Sequence, residues 1–531
     1  MVGPDPVVAE VTGGPRADPD GLGRVARGGA VNLAGAVLGA GLNVALTVAV
    51  ARAFSQQTAG AFFSATSVFL ISATVANLGT SNGLVYFVAR LRALGAARLV
   101  PHVLRLALGP VAVVAVLLGG LLLVLAEPLA ELLGGPEAGR YLRLLAVFLP
   151  FAVATDAVLA AARGFHDMRG TVLLDKVARP LAQLGLLAGV AASGAAGLLA
   201  VAWAGPYLPA AVLAWFWLRR VMGAAPDPPP GPGAAGPEGA GAPAAPRADA
   251  RTFWAFALPR SVASVAQIGI QRGGIVLVAV LRGAADAALF TAATRFMVVG
   301  QFGTQAIQFA AQPRLSELLA VDDRAAANAL FRTSTAWLVC LTWPLYLPVA
   351  LYAPLLLQVF GPGYSTGAAV LVVVAAGMLL SSACGMGDLV LTMAGRTRWN
   401  LVNNLAALAA NVLLCAALIP LLGAVGGALA WAAAVCVRNV LPLVQLARSL
   451  GLSPFSRVWL VAAAACTAWF GAVPALCHWA LGGGWASLLV ALAAGCSGYA
   501  LTLWRLRAVL RLDGLLPRRP RRRGPRPAVA A

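Results

Sequence analysis

Long apolar runs alternate with short polar segments along almost the whole chain, and from residue 31 onward the runs recur at a similar length. An α-helix of about 20 apolar residues crosses roughly 30 Å of hydrocarbon. We therefore predict an all-α polytopic membrane protein with fourteen transmembrane helices. The predicted spans are Val31–Ala53, Ala59–Gly79, Leu99–Ala126, Tyr141–Ala162, Val172–Ala192, Ala195–Leu218, Thr252–Leu281, Ala287–Gln312, Thr333–Phe360, Gly367–Ala394, Leu401–Pro420, Gly423–Leu446, Val458–Ala480 and Trp485–Trp504.

The positions of the basic residues predict the orientation of these spans. With the N-terminus inside, the cytoplasmic loops, tails and adjoining span ends carry 30 of the 39 Lys and Arg residues, and the outer ones carry 4. Such a split follows the positive-inside rule, and a miscounted span would scramble it. Both termini are therefore predicted to be cytoplasmic. The remaining five basic residues lie within spans: Arg179, Arg260, Arg272, Arg295 and Arg438.

Composition supports the membrane assignment and excludes several classes of function. Of the 531 residues, 60% are hydrophobic and 11% are charged, whereas soluble proteins have roughly 45–50% and about 25%. The single lysine, Lys176, follows Asp175, so the Gly-Lys pair of a nucleotide-binding P-loop is absent. Three scattered histidines argue against metal-dependent hydrolysis. We expect no cofactor, no metal site and no enzymatic activity.

Two halves of the chain resemble each other in sequence. Phe63 aligns with Phe290, Asp156 with Asp388, and the Gly194 turn with the Gly423 turn, in the same order and at a nearly constant offset. Because six spans separate equivalent positions, the two copies have the same orientation in the membrane. The pattern predicts two parallel six-helix lobes with a cavity between them.

The repeat and the non-membrane segments divide the chain into six parts. Pro, Gly and Ala make up most of the stretch 224–250, a composition typical of a disordered linker. The arginine run at 518–523 is predicted to contact anionic lipids rather than nucleic acid. The predicted parts are a cytoplasmic tail (1–29), a first lobe (30–220), the linker (221–251), a second lobe (252–450), two further transmembrane helices (451–505) and a basic cytoplasmic tail (506–531).

Three stretches carry a family resemblance: Leu33 to Gly60, Ala162-Arg163-Gly164-Phe165, and Ile419 to Ala428. With two parallel six-helix lobes, the chain resembles the multidrug/oligosaccharidyl-lipid/polysaccharide exporter superfamily. Its fourteen spans look more like the polysaccharide and lipid-linked oligosaccharide flippases than the twelve-span drug exporters. The resemblance implies alternating access in the bacterial cytoplasmic membrane, a polyprenyl phosphate- or pyrophosphate-linked glycan as substrate, and polysaccharide-assembly proteins as partners.

Ionisable residues inside spans are the candidate site residues, since each costs about 2.5–3.5 kcal/mol on insertion scales. Arg260, Arg272 and Arg295 form a basic strip in the first two spans of the second lobe. Arginine presents a permanent charge and a planar donor fork to phosphate. Alternatively, Arg260 extends to the membrane interface, and Arg272 and Arg295 are structural ties.

Intramembrane acids and amides complete the candidate set. Asp156 and Asp388 are candidates for ion coupling, or else ties to the adjacent basic loops. A polar cavity lining is predicted from amides that could equally serve in helix packing: Asn32, Asn43, Gln267, Gln271 and Gln301.

The sequence thus predicts a flippase that moves a lipid-linked oligosaccharide or polysaccharide precursor. A lipid II flippase and a multidrug or toxin antiporter of the same superfamily remain alternatives. A membrane glycosyltransferase or polymerase is disfavoured, because those enzymes usually need a sizeable outer loop, and the longest predicted outer loop runs only from Glu127 to Arg140.

Overall fold

The computed structural model describes residues 19–165, 167–224 and 249–506, and the regular structure in these ranges is helical. The predicted first lobe contains a π-helix at Thr171–Ala178, 3₁₀ turns at Ala97–Leu99 and Ala196–Leu198, and the α-helices α1 (Pro19–Ala53), α2 (Gln56–Asn77), α3 (Thr80–Ala93), α4 (Val100–Val124), α5 (Ala126–Leu132), α6 (Pro136–Gly164), α7 (Arg179–Ser193), α8 (Leu199–Ala204) and α9 (Tyr207–Ala224).

The rest of the described chain is built in the same way. It contains a π-helix at Thr467–Ala472, 3₁₀ turns at Gln358–Phe360 and Tyr364–Gly367, and α10 (Ala250–Arg282), α11 (Ala284–Thr294), α12 (Met297–Ala320), α13 (Arg324–Leu351), α14 (Ala353–Leu357), α15 (Ala368–Cys384), α16 (Gly387–Met393), α17 (Thr397–Leu422), α18 (Ala424–Leu450), α19 (Arg457–Cys466), α20 (Val473–Leu481) and α21 (Trp485–Arg505). Most of the predicted linker and basic tail, including 225–248 and 507–531, lie outside the described residues.

Twelve helical segments in the described ranges are long and apolar enough to cross a membrane, and each corresponds to one predicted span. The two predicted spans without a counterpart among them are Val172–Ala192 and Ala287–Gln312. Both are helical, but the first begins as a π-helix and the second is interrupted between α11 and α12. The count of fourteen and the orientation of the termini stay predictions.

The helical segment Gln56–Arg92, which contains predicted span two, bends at a left-handed turn between α2 and α3. Leu78 and Gly79 have φ angles of 51° and 73°, and a glycine adopts this conformation without steric strain. Gly79 also touches α10, because a Cβ there would overlap the carbonyl oxygen of Ala257. The bend therefore fixes where the two predicted lobes pack together, and Asn77 and Ser81 stand on either side of it.

At their predicted outer ends the lobes are in close contact. The Arg52 Nε donates to the carbonyl oxygen of Val359 at 2.7 Å, and the Gln56 amide donates to that of Pro362 at 3.5 Å. Gly60 packs directly on the backbone of α11. These contacts close the interface at its predicted outer end.

The last two predicted spans pack on α13. The Tyr499 hydroxyl donates to the carbonyl oxygen of Cys340 at 2.9 Å, and the Trp343 and Trp459 rings meet edge to face. Large side chains on the opposite side of these helices are exposed, Trp479 most of all. An exposed apolar face of this kind suits contact with lipid.

Candidate functional site

A cavity of about 170 Å³, which we call the deep cavity, lies between the predicted lobes. Three arginines line it: Arg179 comes from the first lobe, and Arg272 and Arg295 come from the second. Asn43 of α1 and Tyr207 of α9 add to its polar lining, with apolar residues of α1 and α2 around them. The structure therefore brings two of the three predicted basic residues together and adds a third that the site prediction does not include.

Arg295 stands where span eight is broken. The α-helix ends at Thr294 and resumes at Met297, and only a short turn connects them, with the Arg295 N–H donating to the carbonyl oxygen of Ala292 at 3.2 Å. The carbonyl end of α11 carries a partial negative charge, which favours a cation there. Irregular backbone at membrane depth is typical of positions that line a cavity. The Arg295 Nε is buried without a hydrogen-bond partner in the described part of the chain.

Neither Arg272 nor Arg295 forms an ion pair with a carboxylate among the side chains that the structure describes. The two guanidinium groups line the same cavity, where like charges repel each other. Holding them in one cavity favours an anionic ligand, since uncompensated buried charge is costly.

Arg179 differs from these two because its charge is already balanced. Its Nε and Nη2 donate to Oδ1 of Asp175 at 3.2 and 2.9 Å, and its Nη1 donates to Gln183 at 3.4 Å. The guanidinium also lies over the Tyr207 ring, 4.7 Å from its centre. The sequence signal for this group is an Asp-Lys-x-x-Arg pattern in an otherwise apolar span, and the predicted site does not include it.

A second cavity of about 290 Å³ continues from the first, with Leu70 and Tyr207 lining both. Asp156 is exposed to it, and its Oδ2 accepts hydrogen bonds from Asn77 at 3.0 Å and Ser81 at 2.7 Å. The predicted acid is thus held at the bend between α2 and α3.

A wider opening of about 710 Å³ lies beyond, at the end of the interface predicted to be cytoplasmic, and Asn82 and Arg163 line both it and the second cavity. Arg260 lies at this opening, with its guanidinium 3.8 Å from the centre of the Phe256 ring. Arg260 is therefore separated from Arg272 and Arg295 by the second cavity. The three cavities share lining residues and follow one another from the predicted cytoplasmic end to Arg272 and Arg295.

The other predicted site residues lie elsewhere or bond locally. Asp388 pairs with Arg438, whose Nε lies 3.2 Å from Oδ2, so the two acids of the predicted repeat have different surroundings. The Asn43 amide donates to the carbonyl oxygen of Gly39 at 2.8 Å and also lines the deep cavity. Gln267 and Gln271 are exposed on α10, Gln301 is half-buried on α12, and the Asn32 side chain lies outside the described part.

The described ranges contain no group of three or more His, Cys, Asp or Glu side chains that could hold a metal ion. The charged groups that line the cavities are guanidinium groups, which bind anions, and the carboxylates of Asp156 and Asp175.

Solved structures of membrane transporters share this fold. One described as "Lipid II flippase MurJ, inward closed conformation" has a TM-score of 0.70 at 12% identity, covering 91% of this chain and 99% of its own. An inward-facing multidrug resistance transporter of the MATE family has a TM-score of 0.57 at 14% identity, covering 77% and 94%. The MATE multidrug transporter DinF-BH has a TM-score of 0.51 at 15% identity, covering 84% and 97%.

No protein-family model and no curated protein matches the chain in sequence.

The twelve apolar helices of the described ranges and the fold indicate a multi-pass membrane protein. More specifically, it has the fold of the MOP superfamily of transporters, to which the MATE structures belong. The predicted superfamily fold is confirmed, and the assignment to its polysaccharide flippases stays a prediction.

Proposed function

We propose that this protein is a flippase that moves a lipid-linked oligosaccharide or polysaccharide precursor across the bacterial cytoplasmic membrane by alternating access. The observation that carries the proposal is the convergence of Arg179, Arg272 and Arg295 in one cavity between the lobes. A phosphate or pyrophosphate linking the glycan to its lipid would supply negative charge to balance Arg272 and Arg295, which have no carboxylate partner among the described side chains. No covalent chemistry is required of the protein.

The volumes of the cavities fit a headgroup that enters from the inside. Small-molecule pockets usually measure about 300–1,000 Å³, and the deep cavity, at about 170 Å³, has room for a phosphate but not for its sugars. The adjoining cavity of about 290 Å³ offers hydroxyl and amide groups of Ser81 and Asn77 for the sugars. Full occupancy therefore requires the lobes to separate, while the lipid tail remains in the bilayer.

The distribution of contacts supports alternating access. The outer end is closed by Arg52, Gln56 and Gly60, whereas the path opens at the end that holds Arg163 and Arg260. Rocking of one lobe against the other would break the outer contacts and expose the same arginines to the outside. One binding site would then serve both sides in turn.

A lipid II flippase is the second candidate. The solved lipid II flippase matches this chain at a TM-score of 0.70, against 0.57 for the inward-facing MATE transporter. Its mechanism would be the same and its cargo different. A drug antiporter is supported by Asp156, which could bind a cation, but the cluster of arginines in the deep cavity opposes cationic cargo.

The test is translocation of a fluorescent polyprenyl-pyrophosphate-linked sugar in proteoliposomes. We expect transport by the wild type and a loss of at least about tenfold in Arg272→Ala and in Arg295→Ala, because a charge-assisted hydrogen bond contributes about 1.5–3 kcal/mol. The matched control is Arg324→Ala, which removes an exposed arginine paired with Asp322.

Each outcome separates the candidates. Transport that survives both cavity substitutions would retain a flippase and reject this phosphate site. Movement of lipid II but not of other lipid-linked sugars would favour the second candidate. Efflux of a cationic dye without movement of any lipid-linked sugar would favour the antiporter and overturn the proposal.

A further inference from the structure

Asp175 occupies the part of Arg179 that a phosphate would use. An arginine binds phosphate best through two parallel N–H groups at one edge of its fork. In the structure the Nε and Nη2 edge of Arg179 points at Oδ1 of Asp175, and Nη2 also donates to the Asp175 carbonyl oxygen at 3.3 Å. An anion that reaches Arg179 must compete with this carboxylate.

We infer that Asp175 is an exchangeable counter-ion, which holds Arg179 when the cavity is empty and gives it up to the phosphate of the incoming headgroup. The inference rests on the proposed function, since it needs an anionic cargo. It assigns Arg179 a direct role in binding and Asp175 a role as a competitor that sets the affinity.

Both residues face the path that the headgroup would take. Arg179 lines the deep cavity with Arg272 and Arg295, whereas Asp175 lines the adjoining cavity toward the cytoplasm. Only 11% of the Arg179 side chain is exposed, and the buried Nε of Arg295 has no acceptor in the described part of the chain. An anion bound between Arg179 and Arg295 would accept a hydrogen bond from the Arg295 Nε. It would also face Arg272, which lines the same cavity.

The released carboxylate already has a second partner. Lys176 Nζ lies 3.0 Å from Oδ2 of Asp175, the oxygen that Arg179 does not use. Asp175 can therefore leave Arg179 without becoming an isolated charge. Asp175 also lies in the π-helix at Thr171–Ala178, and such segments are frequent at functional sites.

Arg179 is meanwhile kept in place by groups other than Asp175. The Tyr207 ring supports the guanidinium, and the Gln183 side chain accepts from Nη1. The Gln183 amide in turn donates to the carbonyl oxygen of Trp203 at 2.5 Å. Removal of the carboxylate should therefore free the binding edge without displacing the arginine.

The experiment is a double-mutant cycle on the full chain in detergent, with binding of inorganic pyrophosphate measured by isothermal titration calorimetry. We expect Asp175→Asn to lower the pyrophosphate Kd about tenfold, within the range typical of coupling between linked groups. Arg179→Gln should weaken binding, and Asp175→Asn should have no effect in the Arg179→Gln background. Glu317→Gln, which frees the exposed Arg314 elsewhere in the chain, is the matched control.

An unchanged or higher Kd in Asp175→Asn would overturn the inference, provided that wild-type binding depends on Arg272, in which case the proposed function stands. A gain in affinity that persists in the Arg179→Gln background would also overturn it, because the effect would then be general electrostatics. Absence of pyrophosphate binding in the wild type and in every variant would reject the inference and the phosphate site of the proposed function together.

Discussion

Gly60 and Ala284 are in direct backbone contact between the lobes, so close that a Cβ on Gly60 would overlap the carbonyl oxygen of Ala284. Gly60→Ala must therefore push α2 away from α11 at the outer end. We expect the variant to lose transport and to favour an outward-open state. Thr66 lines the deep cavity, and Thr66→Cys in the Gly60→Ala background should then react with an impermeant thiol reagent from outside.

The control for this prediction is Gly41→Ala. Gly41 has no neighbour within 4 Å of its would-be Cβ, and alanine is about 1 kcal/mol better than glycine inside a helix. That variant should transport normally. A folded Gly60→Ala protein with unchanged transport and no added labelling through Thr66→Cys would show that the outer contact does not control access.

A second prediction concerns the orientation in the membrane. In a background without native cysteines, Ser193→Cys should be labelled by an impermeant maleimide in intact cells, because it lies in a predicted outer loop. Val321→Cys should be labelled only after permeabilisation, because it lies in a predicted inner loop. Both positions are exposed. Labelling of the two on the same side would contradict the predicted fourteen-span topology.

The Tyr207 ring provides a third prediction. The Arg179 guanidinium lies over its face at 4.7 Å. Because Tyr207→Phe keeps the cation–π contact, it should bind pyrophosphate within about twofold of the wild type. Tyr207→Ala removes the ring, and we expect binding to weaken about fivefold. Equal losses in the two variants would instead implicate the hydroxyl group.

The two acids of the predicted repeat should differ in their effect on stability. Asp388→Asn leaves Arg438 without its carboxylate partner. The loss of this charged hydrogen bond costs about 1–2 kcal/mol and should lower the Tm in detergent. Asp156→Asn should change the Tm little, because the side chain is exposed and an amide still accepts hydrogen bonds from Asn77 and Ser81. A larger drop in Asp156→Asn would reverse the roles that we assign to them.

Several features of the fold could be predicted from the sequence because they depend on period and length. Apolar runs of membrane length located each of the twelve apolar helical segments, and the cavity position of Arg272 and Arg295 followed from their unusual depth. The sequence does not predict the break in the helix at Arg295, because Thr294-Arg295-Phe296 contains neither Pro nor Gly, the residues that usually interrupt a helix. Tertiary packing, rather than local propensity, must interrupt that helix.

The partners of the charged residues were harder to predict. Asp156 and Asp388 look equivalent along the chain, yet one bonds to the α2–α3 bend and the other to Arg438, and these pairings depend on contacts between residues far apart in sequence. Arg179 has an acid four residues away, which looks like a sufficient explanation for its charge. A local ion pair does not reveal whether its members also face a cavity.

The π-helical start of span five and the broken span eight also bear on how the protein is made. Each contains charged residues. The free-energy cost of placing an arginine at the centre of a membrane span is about 2.5–3.5 kcal/mol on insertion scales. Neither is among the twelve described helical segments that are long and apolar enough to cross a membrane. Span five packs against α1, and α11 packs against α10, so we expect these neighbours to lower the cost of inserting them. We therefore expect the residues that make the interior basic to favour membrane insertion of helices in groups rather than one by one.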